Sequence, residues 1–158
     1  MKLLIIGLLL GVLVLTPVGA YLYVKAGLLS LSTTAKPFPG EEYLAHLALR
    51  ESMGNANSMQ DPLPVTDGNI AAGAKAYRDQ CAVCHGLPGE AKSMIAAGMF
   101  PPPPQLLKGH GVTDDPEGTT FWKITNGIRL SGMPRFDAMP ETERWQVTMY
   151  LKHADLGH

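Results

Sequence analysis

Cys81 and Cys84 are the only two thiols in the chain, and His85 directly follows the second. Two thiols at this spacing serve several chemistries. A disulfide scaffold uses more cysteines, spread along the chain. A thioredoxin-like redox pair needs a βαβ setting, and none surrounds residues 81–85. Structural zinc takes four ligands, usually in two pairs, and no second pair exists. The following histidine favours a fourth chemistry. Each thiol forms a thioether to one of the two vinyl groups of a haem. The adjacent imidazole then lies under the iron and donates a nitrogen. Cys81-Ala82-Val83-Cys84-His85 carries the signature of that attachment, with Cys81 and Cys84 as anchors and His85 as the proximal axial ligand.

A six-coordinate iron needs a ligand opposite His85. A methionine thioether there stabilises ferrous iron and raises the potential relative to a second histidine. The candidates are Met94, Met99, Met133, Met139 and His110. Met94 follows His85 too closely to pass around the ring. Met99 opens the stiff run Phe100-Pro101-Pro102-Pro103-Pro104, which is expected on the proximal side. A backbone carbonyl there is placed to accept the Nδ1–H of His85 and orient its ring. Met133 lies in Gly127-Ile128-Arg129-Leu130-Ser131-Gly132-Met133-Pro134. Gly132 allows close approach to the ring, and Pro134 stiffens the chain after the ligand. Met133 is therefore preferred. Met139 stands next, and Met99, His110 or an open position remain.

These side chains need helices to hold them. Asp67-Gly68-Asn69 offers N-caps, and Ile70, Ala74, Tyr77 and Cys81 share one face of a helix that delivers the motif. A second helix is expected over Gly118–Asn126, stopped by Asn126-Gly127, with Phe121 and Trp122 as pocket packing. Pro140-Glu141-Thr142-Glu143 starts a third, whose Trp145 is expected against the Gly73–Tyr77 face. Arg129 and Lys123 are candidates for haem propionates or for solvated surface charge.

Upstream, Leu3 to Val24 is almost entirely apolar and carries no charge, with Lys2 before it and Lys25 after. As a helix it spans about 33 Å, enough for a hydrocarbon core of about 30 Å. The apolar run continues through Tyr21 and Tyr23, residues suited to a membrane boundary. A retained anchor is preferred over a signal peptide cleaved near Ala20. Gly7 and Gly11 match a helix-packing pattern, which chance explains in so Gly- and Leu-rich a segment. Ser30–Gly40 reads as an extended linker. Glu41–Met53 reads as a helix with acids in its first turn, carrying His46 as a surface histidine, and Asn55–Pro64 as irregular chain. The boundaries are thus 1–25 for an anchor or uncleaved signal, 26–66 for a stalk and 67–158 for a haem domain. The formal net charge is −1, and no basic run points to nucleic acid.

With these segments in view, residues 69–153 resemble the class I cytochrome c family, and more closely the membrane-anchored, single-haem cytochromes c of bacteria. The resemblance rests on Cys81–Gly86, Gly98–Pro103 and Trp122–Pro134, with the flanking helices. It implies an all-α fold around one covalently attached haem c, preceded here by a transmembrane helix and a short stalk. It also implies His85/Met133 ligation, a haem domain on the periplasmic side of the cytoplasmic membrane, and one-electron transfer. Such a carrier is not an enzyme and has no small-molecule substrate. Its expected partners are a dehydrogenase as donor and a terminal oxidase as acceptor. The alternatives are an electron-accepting subunit of a membrane dehydrogenase, and a gas-binding or sensing haem protein with a labile distal site.

Overall fold

The fold is that of a computed structural model, which describes residues 1–107 and 114–153. Among the described residues all regular structure is helical, as expected, and the one β-type pairing is an isolated bridge between Ile128 and Met133. The chain divides into two units, residues 1–36 and 37–158.

The first unit is a single long helix, α1 (Lys2–Lys25), followed by turns. No side chain on α1 is buried, and its surface is apolar on every side. A helix of that kind belongs in a core or a membrane, and α1 is long and apolar enough to cross one. Pro17 lies inside it, and the neighbouring Thr16 hydroxyl donates to the Val12 carbonyl at 2.7 Å.

The second unit contains α2 (Glu41–Met53), a 3₁₀ turn (Gly54–Ser58), α3 (Asp67–Ala76), a π turn (Tyr77–Cys81), α4 (Ala82–His85), α5 (Met94–Gly98), α6 (Glu117–Asn126) and α7 (Glu141–His153). The bounds of α2 are those read from its acids and leucine spacing. The segment after it packs on α6. Ala56 is buried, and its carbonyl fills the space beside Gly118, with Met59 Cβ next to it. The Asp61 N–H donates to the Glu117 carboxylate at 3.1 Å. Burial raises the Asp61 carboxyl above its ordinary range against the opposing Leu63 N–H, and Glu117 adds to the rise.

The N-cap of α3 is Thr66, not a member of Asp67-Gly68-Asn69. Its backbone is extended and its hydroxyl accepts the Asn69 N–H at 3.2 Å. Asp67 instead sits in the first turn, where its charge favours the helix dipole. The π turn then interrupts the single helix expected over 69–85. An added residue rotates the downstream positions by about 100°, at 3.6 residues per turn. Upstream of that turn and at its first residue the buried positions are Gly73, Ala76 and Tyr77, while Ala74 is half-buried.

Helices α3 and α7 cross at Gly73, where a side chain would overlap the Gln146 carbonyl and meet Tyr150 Cβ at 2.9 Å. Ala76, Tyr77, Ile124, Val147 and Leu151 form the buried cluster beneath this crossing. Tyr77 and Tyr150 extend it, ring centroids 5.6 Å apart. Trp145 has a different partner from the one expected. It stacks on Phe121 of α6 at 3.9 Å with 9° between the planes. Gln146 and Tyr150 meet α3 instead, because neighbouring residues on α7 point about 100° apart. The Arg144 guanidinium lies 5.2 Å from the Phe121 centroid and donates to the Thr125 hydroxyl at 2.8 Å.

Candidate haem site

Cys81 closes the π turn and caps α4, half-buried against the core cluster. Burial pushes its thiol up to about 11, with Cys84 adding to the shift. Cys81 is therefore a protonated thiol at neutral pH. Cys84 is also half-buried, both cysteines are free, and Val83 between them is exposed.

His85 ends α4 with its Nδ1 at 2.8 Å from the Pro104 carbonyl. A carbonyl only accepts, so Nδ1 carries the proton and Nε2 keeps its lone pair. This is the orienting bond expected from the proline run. Burial lowers the His85 pKa against the opposing effect of that carbonyl, which keeps the imidazole neutral and able to donate to a metal. Two further bonds hold the motif. The Tyr77 hydroxyl donates to the Gly86 carbonyl at 2.9 Å, and burial pushes this phenol's pKa upward, so it stays a donor. The Ser93 hydroxyl donates to the Val83 carbonyl while it accepts the Ala96 N–H at 3.0 Å, capping α5 beside α4. Ser93 was not among the residues singled out in the sequence, although a serine just before Met94-Ile95-Ala96-Ala97 is a readable N-cap.

Met133 sits half-buried in a closed loop after α6. Gly127 ends that helix at φ 67° and ψ −176°. The Ile128 N–H donates to the Met133 carbonyl at 3.0 Å, and the Met133 N–H to the Ser131 hydroxyl at 3.3 Å. The Phe136 N–H then returns to the Ile124 carbonyl at 3.0 Å. Of the other candidates, Met94 is 92% exposed on α5. Met99 and Met139 are half-buried. Met139 lines a shallow groove with Gln80, Phe136 and Glu143. The Met99 methyl group lies against Gly132, so the run from Met99 to Pro104 reaches from His85 to the Met133 loop. His110 lies outside the described residues. His46 is exposed on α2, as a surface histidine should be, and Arg129 is exposed near the loop tip. The Lys123 ammonium is engaged by Asp115 at 2.7 Å.

Residues 68–151, more than half of the chain, match the family described as cytochrome c oxidase, cbb3-type, subunit III. The chain belongs to the class I c-type cytochrome family. No curated protein matches it. As a c-type cytochrome it uses haem c, and its chemistry is haem-based electron transfer. The donor set fits that group: two half-buried thiols on either side of an exposed residue, and beside them a neutral imidazole whose Nε2 makes no competing bond to Pro104.

Proposed function

We propose that this cytochrome carries single electrons through one haem, joined by thioethers to Cys81 and Cys84 and ligated by His85 and Met133. The observation that carries the reading is the His85–Pro104 bond, which sets the tautomer and directs the Nδ1–H of the imidazole beside the two thiols. Each thiol adds across a vinyl group, its sulfur to one carbon and its proton to the next, so attachment needs no oxidant. The bound haem supplies the Fe(III)/Fe(II) couple. The chain holds the axial imidazole in one orientation, and the closed loop at residues 128–133 presents the Met133 thioether with little freedom to rearrange. Fixed ligands keep reorganisation small between the two oxidation states.

α1 serves as a single-pass anchor in the cytoplasmic membrane, with the haem domain on the periplasmic side. Tethering raises the effective concentration of the carrier near membrane partners. A dehydrogenase or respiratory donor reduces it and an oxidase-type acceptor oxidises it. A second reading makes the chain a permanent haem subunit of a membrane dehydrogenase or oxidase. It is favoured by the family description, which names an oxidase subunit. Size-exclusion of a detergent extract separates the two, since a permanent subunit elutes with its enzyme.

The full chain under denaturing conditions is expected to retain the mass of one haem, and the ferrous protein is expected not to take up carbon monoxide at neutral pH. Haem released on denaturation contradicts the attachment. Ready carbon monoxide binding contradicts the saturated iron and favours a gas-binding role.

A further inference from the structure

We infer that Met99 is a positioning residue for the distal ligand: its side chain packs on Gly132 and holds the Met133 loop closed. The inference rests on ligation by Met133 and adds a brace to it.

The segment carrying Met99 is tied to the haem motif at both ends. Upstream, Ser93 caps α5 and donates to the Val83 carbonyl between the two cysteines. Downstream, Pro104 accepts from His85 at 2.8 Å. Between them, Pro101 to Pro104 form a run with fixed φ and no N–H to donate. Such a strap bends little, so Met99 is held where the motif places it. Its methyl carbon lies 3.2 Å from the point where a side chain on Gly132 would begin. Gly132 directly precedes Met133 and has no side chain of its own to pack. Met94, at the start of the same short helix, is 92% exposed, whereas Met99 is half-buried.

One strap therefore touches His85 at one end and the backbone beside Met133 at the other. A thioether is a weak ligand for ferric iron, and an added ligand displaces it whenever the loop swings open. Apparent affinity for that ligand reports the open fraction. Packing by Met99 lowers that fraction. The role needs the bulk of the side chain and not its sulfur, since Leu and Met are close in volume.

The test is an imidazole titration of the ferric full chain in detergent, followed by the thioether charge-transfer band. Met99→Ala is expected to keep the band without imidazole and to bind imidazole about tenfold more tightly, as loss of a partly buried side chain implies. Met99→Leu is expected to stay within about twofold of the wild type. Wild-type imidazole affinity in Met99→Ala overturns the inference. So does a Met99→Leu chain as open as Met99→Ala, since that outcome makes the sulfur essential. A wild-type chain without the band overturns the ligation reading itself, and this inference with it.

Discussion

Gly73→Ala is expected to unfold the haem domain far more readily than the wild type. At the α3–α7 crossing the new methyl group would stand inside the Gln146 carbonyl and 2.9 Å from Tyr150 Cβ. Both obstacles belong to α7 close to its backbone, so no flexible side-chain end can swing aside. The helices must separate, and the cluster of Tyr77, Val147 and Leu151 beneath them loosens. Overpacking of this kind costs about 3 kcal/mol. For the haem domain over residues 67–158 that lowers the thermal midpoint by about 12–24 °C, read by far-ultraviolet circular dichroism of the holoprotein. Gly98→Ala is the control, because nothing lies within 4 Å of the added methyl group. A Gly73→Ala midpoint equal to that of Gly98→Ala would show that the crossing does not carry the fold.

Gly127→Ala is expected to act on the distal loop more than on the whole domain. Gly127 holds φ 67° and ψ −176°, a region open to glycine and strained by about 1–3 kcal/mol for other residues. An added methyl group also stands 2.7 Å from the Met133 carbonyl oxygen, the Arg135 nitrogen and the Pro134 carbonyl carbon. The loop then cannot close as the Ile128–Met133 bond requires. The expected outcome is a ferric protein with a weakened thioether band and a ferrous protein that binds carbon monoxide, while the proposed thioethers to Cys81 and Cys84 keep the haem in place. An unchanged band with carbon monoxide excluded would mean that Met133 does not depend on this turn.

Local features were legible in the sequence, and contacts between distant segments were not. The bounds of α2 follow from Glu41 and Glu42 at its start, and the stop of α6 from Asn126-Gly127. The proline run and His85 were correctly paired because a stiff run of carbonyls beside an imidazole leaves few alternatives. The π turn at Tyr77–Cys81 escaped notice, since helical spacing alone carries no mark of an inserted residue. The partner of Trp145 was misread for a related reason. Its spacing gives a face of α7, but whether α3 or α6 covers that face depends on how three helices pack. The Lys123–Asp115 pair joins groups on either side of the start of α6, and charge type alone did not signal it. The packing of Ala56 on Gly118 joins segments far apart in sequence, and neither residue signals the other.

The most direct test of the proposed site is the optical spectrum of the ferric full chain, read at the weak red charge-transfer band of iron–thioether ligation. The wild type is expected to show the band, Met133→Ala to lose it, and Met99→Ala and Met139→Ala to keep it. A band that survives in Met133→Ala and disappears in Met99→Ala or Met139→Ala would contradict the assignment and move the distal ligand to that methionine.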